Sequence, residues 1–315
     1  MGPSAIVPLV VYGLTFLVGL PSNALALYVF YCRAKARLTP NLIYMINLCL
    51  SDLLFILFLP LKMLEIGKVD WTMPAFLCPL YNLIHFGTIY TSACFLTAVS
   101  VGRFLGAAYP IYYQIYKKPC YSWLVSLGIW ILVGFHGVLL FVLETTKNGN
   151  STLFAGNDSS CYEFSKPNEL VVLAPVRLEL SVVLFFLPLA ITSFCYVGCI
   201  RALVGSHLHQ RKKRRAVRVA VATFCVFVLC FGPYNLSHVV SYIEGEEVAW
   251  RQIAVLPSAC NAFLDPLIFF FLSSAMDDGI ARVWRSLKEK CSSTGLKLAL
   301  AHRKGAGQPA IPAIS

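Results

Sequence analysis

Long apolar runs alternate with short polar connections along this sequence. Seven runs lie near 5–31, 41–66, 76–108, 121–144, 172–203, 216–243 and 250–273, and each contains at least one polar residue, proline or tryptophan. A helix needs about 20 apolar residues to cross roughly 30 Å of hydrocarbon, and every run is long enough. The pattern predicts an all-α membrane protein, with residues 1–273 forming a bundle of seven transmembrane helices.

Composition excludes a soluble domain and disfavours several membrane functions. The chain is 58% hydrophobic and 13% charged, and no soluble core could bury so much apolar surface. No internal repeat is visible, which disfavours a monocarboxylate transporter. The seventh run has no lysine for a retinal Schiff base, and the spacing of a metal cluster or a nucleophile–base pair is absent. We therefore expect a non-enzymatic protein without a cofactor.

The basic residues predict the orientation of the bundle. Most of the 26 lysines and arginines fall in 33–37, 117–118, 201–218 and 282–304, which alternating spans place on one side. The positive-inside rule makes that side cytoplasmic, so the N-terminus is expected outside the cell at the plasma membrane. The basic stretch in 201–218 then predicts a cytoplasmic loop that meets anionic lipid or a partner, rather than a nucleic-acid site.

The segments between and after the spans carry further expectations. Cys78, at the outer end of the third run, and Cys161, in the 145–171 loop, both face an oxidising compartment, which favours a disulfide between them. Two sequons in the same loop predict glycosylation at Asn150 and Asn157.

Residues 274–291 are expected to form an amphipathic helix on the membrane surface. Its last residue, Cys291, is either a palmitoylation site or a plain cysteine, and 292–315 are expected to be disordered.

Five oxygen-bearing side chains lie at similar depth within the spans, where polar groups face the bundle interior or water. They are Asn23, Asp52, Ser92, Asn261 and Asp265. Such oxygens could hold a sodium ion, which prefers oxygen ligands, or they could form a hydrogen-bond network that locks the helices together. The two interpretations are compatible and both remain open.

An ordered set of motifs makes the sequence resemble the rhodopsin-like G-protein-coupled receptors. The motifs are Asn23, Asp52, Gly102-Arg103-Phe104, Trp130, Pro188, Cys230-Phe231-Gly232-Pro233 and Asp265-Pro266-Leu267-Ile268-Phe269. The resemblance implies coupling to a heterotrimeric G protein at the inner ends of the helices, near Arg103 and Tyr196. Gly102 stands where the family has an acidic residue, so the intra-motif salt bridge is missing. Phe231, Asp265 and Phe269 depart from the family's usual Trp, Asn and Tyr.

Two arginines at outer helix ends need a separate explanation. Arg177 lies at the outer end of run five and Arg251 at the outer end of run seven. Each could snorkel to the headgroups, or together they could clamp a carboxylate, which a guanidinium matches in two-to-two geometry. Glu144 and Glu163 are the expected partners of these arginines until a ligand displaces them. Four further side chains could donate hydrogen bonds to the same carboxylate, namely Tyr90, His136, Tyr234 and His238.

Local strings narrow the resemblance to the free fatty acid receptor family. Residues 38–44, 102–110, 118–123 and 188–199 resemble its long-chain members, and 175–180, 230–240 and 250–255 resemble its short-chain members. The family's carboxylate-binding arginines match Arg177 and Arg251, its pocket tyrosines match Tyr90 and Tyr234, and its pocket histidines match His136 and His238. The resemblance implies sensing of free fatty acids and signalling through G proteins.

The expected chain length of the ligand follows from the wall between runs three and four. Gly87 and Gly137 lie in that wall and are expected to leave space for a tail, which favours medium or long chains. His238 resembles the short-chain members and supports the opposite choice. The short-chain alternative therefore stays open.

Overall fold

The computed structural model describes residues 3–68, 77–147, 167–205 and 210–272, which all belong to one unit, Met1–Ser273. The helices in chain order are α1 Pro3–Ala36, α2 Pro40–Lys68, α3 Leu77–Ala108, α4 Pro110–Tyr116, α5 Pro119–Lys147, α6 Pro167–Ser181, a π-helical turn Val182–Phe186, α7 Leu187–Gly205, α8 Gln210–Glu244, α9 Arg251–Ala254 and α10 Leu256–Leu272. Within these ranges the regular structure is entirely helical, as predicted.

Seven helical segments of the described chain are long and apolar enough to cross a membrane. The fifth combines α6, the π turn and α7, and the seventh combines α9 and α10. Their bounds coincide closely with the seven apolar runs, which confirms the predicted seven-helix architecture. The short helix α4 lies between the third and fourth spans.

Helix α3 is the centre of the bundle because it contacts α2, α4, α5, α7 and α8. Helix α1 packs on α2 and α10, and α10 packs on α8. An apolar cluster joins α1, α2 and α10 through Tyr12, Phe55, Ile56, Leu59, Leu256, Ala259 and Ala262. Since small residues let membrane helices approach closely, Ala259 and Ala262 bring α10 against the larger side chains of α2.

The π turn widens the fifth span immediately before a proline. The Leu187 amide donates to the Val182 carbonyl, five residues back, and Pro188 follows without an amide hydrogen of its own. Thr97 on α3 holds this region through its hydroxyl, which lies 3.0 Å from that of Thr192 on α7. The fifth span is thus fixed to α3 below the turn.

Several expectations fall outside the described residues. They are the side chain of Cys78, Cys161, the sequons at Asn150 and Asn157, Glu163, the amphipathic helix of 274–291 with Cys291, and the tail 292–315.

Candidate functional site

The two arginines converge on a single carboxylate, that of Glu247. Arg251 donates from Nη1 to Glu247 Oε1, and Arg177 Nη1 lies 3.4 Å from the same oxygen. Arg251 is only 4% exposed, Arg177 is half-buried, and the Glu247 side chain is buried between them. Both guanidinium groups therefore meet inside the protein, in the paired arrangement rather than the snorkelling one.

The connection between α8 and α9 positions Glu247. Gly245 follows the end of α8 with a φ of 70°, a left-handed conformation that glycine adopts without strain, and its amide donates to the Ser241 carbonyl at 3.0 Å. The Val248 amide then donates to the Ser241 hydroxyl at 3.3 Å, and the Arg251 amide donates to the Val248 carbonyl at 3.1 Å. These bonds fold the connection back over the helix end and direct Glu247 towards Arg251.

Aromatic side chains form one wall of the arginine site. The Tyr234 ring stacks on Phe86 with centroids 5.5 Å apart and an interplanar angle of 10°, and it meets the His238 ring edge-on at 4.5 Å. The guanidinium carbon of Arg251 lies 6.0 Å from the Tyr234 centroid, which is within cation–π range. Tyr234 thus touches α3, its own helix and the cationic group at once.

Tyr90 and His238 complete the polar lining. Both are buried, and both lie within electrostatic reach of Arg177 and Arg251. A phenol on α3 and an imidazole on α8 therefore lie near the two guanidinium groups on α6 and α9 that bind Glu247. Such a set can bind a carboxylate through several charge-assisted or neutral hydrogen bonds.

His136 makes its described polar contacts elsewhere. Its Nε2 lies 3.4 Å from Glu179 Oε1, and its Nδ1 donates to the Leu132 carbonyl at 2.8 Å. Glu179 is 49% exposed on α6, so this pair links α5 and α6. The structure brings five of the six predicted ligand contacts together and places His136 against Glu179.

Glu247 was not predicted as a partner of the two arginines. The predicted partners were Glu144 and Glu163, but Glu163 and the side chain of Glu144 lie outside the described residues. Four residues separate Glu247 from Arg251, but Glu247 lies in the connection before α9, so helical spacing gave no signal for this pair.

A second buried ion pair, also missed from sequence, lies within α2, and its lysine Nζ is 5.8 Å from the centre of the Tyr81 ring on α3. Lys62 Nζ is 2.7 Å from Glu65 Oε2, and the Tyr81 hydroxyl is 2.9 Å from His85 Nδ1. The His85 ring contacts Phe86 at 5.0 Å, so this cluster adjoins the aromatic wall of the arginine site.

Neither of the two glycines in the wall between the third and fourth spans lies beside open space. A Cβ at Gly87 would lie 3.9 Å from Val133, which is ordinary contact, whereas a Cβ at Gly137 would overlap Leu83. The absent side chain at Gly137 is therefore replaced by Leu83 rather than by an opening for a ligand tail.

The predicted polar network surrounds a small cavity with room for about one water-sized group. Asp52, Ser92 and Asn261 line this cavity, and Asp265 adjoins it by accepting a 3.0 Å hydrogen bond from Asn261. Ser92 donates to Asp52 at 3.3 Å, and Asn23 donates to the Ala262 carbonyl nearby.

Oxygen atoms of Asp52, Asn261 and Asp265 remain buried without a hydrogen-bond partner within the described residues. Buried, unsatisfied oxygens of two carboxylates and an amide are the type of ligands that a small hard cation takes.

Arg103 and Tyr196 lie at the other ends of α3 and α7. The Thr223 hydroxyl donates to the Val219 carbonyl at 2.7 Å, so the Tyr196 hydroxyl, 2.6 Å away, donates to Thr223. Tyr196 is within electrostatic reach of Arg103, whose Nη1 is buried and lacks a hydrogen-bond partner in the part of the chain that the structure describes.

Comparison with known proteins agrees with this geometry. The family described as "7 transmembrane receptor (rhodopsin family)" matches residues 22–269. Free fatty acid receptor 3 of Homo sapiens is 42% identical over 280 residues, which are 88% of this chain and 80% of that protein. Free fatty acid receptor 1 of Macaca fascicularis is 43% identical over 272 residues, 83% of this chain and 89% of that protein. Free fatty acid receptor 3 of Mus musculus is 40% identical over 282 residues, 89% of this chain and 88% of that protein. These relatives are receptors, which confirms the expectation of a non-enzymatic protein.

Proposed function

Because the chain belongs to the rhodopsin family of seven-transmembrane receptors and, within it, to the free fatty acid receptors, we propose that free fatty acids activate it through the Arg177–Arg251 site. The ligand-bound receptor then activates a heterotrimeric G protein, which contacts the opposite ends of the helices. The receptor is a multi-pass protein of the plasma membrane, with its N-terminus outside, Cys78 bonded to Cys161, and glycans at Asn150 and Asn157.

The observation that supports this proposal is the sharing of one carboxylate oxygen by Arg177 and Arg251. Glu247 occupies the proposed headgroup position, Tyr234 lies within cation–π range of Arg251, and Tyr90 and His238 are buried within electrostatic reach of both arginines. A fatty acid carboxylate has the same charge and geometry as this side chain. It can therefore displace Glu247 while both buried arginines keep a negatively charged partner. Breaking a buried ion pair without such a replacement would cost roughly 3–5 kcal/mol.

Activation follows as a shift between two packings of the bundle. Arg177 lies on α6 and Arg251 on α9, so exchanging Glu247 for a ligand changes the contact between the fifth span and the α8–α9 connection. Helices α8 and α10 contain Pro233 and Pro266, where a missing backbone hydrogen bond lowers the cost of bending. The ligand favours the packing in which it binds better, and Arg103 and Tyr196 then contact the G protein.

The proposed ligands are fatty acids of medium or long chain. Each buried methylene contributes about 0.8 kcal/mol, so tail length sets potency as long as the site has room. At Gly87 an added Cβ would make ordinary contact with Val133, so this position leaves room for a methyl-sized group. Short-chain fatty acids are the second candidate, because Leu83 fills the space at Gly137 and His238 lies buried beside the arginines.

The polar cavity is proposed to hold a sodium ion in the resting packing. Asp52, Ser92 and Asn261 would contact the ion directly, and Asp265 would orient Asn261. The buried unsatisfied oxygens in this region support the proposal. A hydrogen-bond network alone leaves Asp52 Oδ2, Asn261 Oδ1 and Asp265 Oδ1 buried without a partner among the described residues.

The decisive experiment measures G-protein activation in membranes with saturated fatty acids from acetate to palmitate. Arg177→Ala and Arg251→Ala should each weaken potency by about 10- to 100-fold, since a hydrogen bond to a charged group contributes about 1.5–3 kcal/mol. Arg37→Ala, which changes an exposed arginine beyond the end of α1, is the matched control. Wild-type potency in both site variants at equal surface expression would refute the proposed ligand site.

A further inference from the structure

The side chain of Asn41 on α2 lies against Gly102 on α3, where any other residue would require the Asn41 side chain to move. A Cβ at Gly102 would overlap the amide oxygen of Asn41 and lie 3.1 Å and 3.4 Å from its Cγ and Nδ2. All three terminal atoms of the Asn41 side chain are thus within contact distance of that position. The carboxamide of Asn41, on the first turn of α2, occupies the volume that a side chain at 102 would need.

Two polar atoms in this region are buried and unsatisfied. Asn41 Oδ1 and Arg103 Nη1 have no hydrogen-bond partner among the residues that the structure describes. Leaving a buried polar atom unpaired is costly. A carboxylate at position 102 would supply the charge that Arg103 lacks, but the Asn41 side chain occupies that volume.

We infer that Asn41 keeps an acidic side chain out of position 102 and thereby leaves Arg103 without a partner in its own motif. The Asn41 carboxamide fills the volume that an acidic side chain at position 102 would occupy. It carries no negative charge that could pair with Arg103. The resting packing at this end of the bundle is held by close contact of α2 with α3, and Arg103 retains an unsatisfied donor that a partner can use. The inference rests on the proposed coupling role of Arg103, and it assigns to Asn41 a role that neither the ligand site nor the polar cavity requires.

The steric part of the inference is tested by a double-mutant cycle on thermal unfolding of the full-length receptor in detergent. Gly102→Ala alone should lower the Tm because the added methyl group collides with Asn41. Asn41→Ala should remove the collision, so the double variant should recover most of that loss, which is a non-additive result expected only for residues in contact. Strictly additive shifts would overturn the inference.

The electrostatic part is tested by basal G-protein activation in an Asn41→Ala background. Adding Gly102→Asp should lower basal signalling at least about threefold relative to adding Gly102→Asn, because only the carboxylate can pair with Arg103. The Asp and Asn side chains have nearly the same shape, so packing alone would not separate them. Equal basal signalling of the two double variants would overturn the inference, because a carboxylate at position 102 would then not pair with Arg103.

A further pair of results separates this inference from the proposed function. If Arg103→Ala signalled normally, the coupling role of Arg103 would fail, while the thermal cycle would still decide whether Asn41 and Gly102 are in contact. If Gly102→Asp lowered basal signalling equally with Asn41 present, the carboxamide would not exclude the acid and the inference would fail by itself.

Discussion

Replacing Glu247 with glutamine is the most informative single change at the proposed ligand site. Glutamine keeps the size of the side chain and an oxygen that can accept from Arg251, but it removes the negative charge that both arginines share. A ligand carboxylate would then compete with a neutral group instead of a charged one. We expect the potency of fatty acids to rise, and basal signalling to rise with it, because the resting arrangement is weakened.

The expected magnitude follows from the two contacts of Glu247. Arg177 Nη1 lies 3.4 Å from Glu247 Oε1, which is long for a hydrogen bond, so the Arg251 contact contributes most of the energy. A hydrogen bond to a charged group contributes about 1.5–3 kcal/mol, and a neutral acceptor gives roughly half of that. The change should therefore weaken the internal competitor by about 0.8–1.5 kcal/mol, which corresponds to a gain of about 4- to 13-fold in potency.

The assay is a concentration–response measurement of G-protein activation by decanoate, with surface expression measured in parallel. Glu246→Gln is the matched control, because Glu246 is the adjacent glutamate and is exposed. It changes the net charge of the same connection equally but touches neither arginine in the described contacts. A Glu247→Gln receptor with unchanged or reduced potency, beside a normal Glu246→Gln receptor, would refute competition between Glu247 and the ligand.

Two other substitutions test the tail pocket and the polar cavity. Leu83→Ala should open the space beside Gly137 and increase the potency of long fatty acids about tenfold over that of acetate, because one to two additional methylenes become buried. An equal shift at every chain length would contradict this. Asp52→Asn should abolish the difference in agonist potency between sodium and choline buffers, because a carboxylate of the cavity is lost. A preserved sodium effect would contradict the cation site.

The spans could be predicted from sequence because their signal is local. A stretch of apolar residues long enough to cross hydrocarbon has few alternatives, so the seven runs matched the seven helical segments. The convergence of Arg177 and Arg251 was also predictable, since charged residues at corresponding helix ends must find partners or water. Tyr234 and His238 followed from their shared helix face, and the structure places both at the same site.

The remaining details depend on packing that no local pattern encodes. Gly137 removes a side chain, but protein interiors are close-packed, so Leu83 from another helix fills the volume. Glu247 lies in a short connection whose course is set by Gly245 and by two contacts with Ser241. The sequence shows its spacing from Arg251 but not that the same oxygen also meets Arg177 on another helix.

The presence of Glu247 in the arginine site restricts how a fatty acid could activate the receptor. Exchanging one carboxylate for another leaves the charge pairing nearly unchanged, and a ligand without differential affinity for the two packings shifts nothing. The tail must then supply the preference for the active packing. Moving a two-state equilibrium from 1:99 to 99:1 requires about 5.5 kcal/mol, which at about 0.8 kcal/mol per methylene corresponds to roughly seven methylenes buried only in the active packing. A full agonist of this receptor should therefore be at least medium in length, whereas a shorter acid would act as a partial agonist unless contacts such as that with His238 also differ between the packings.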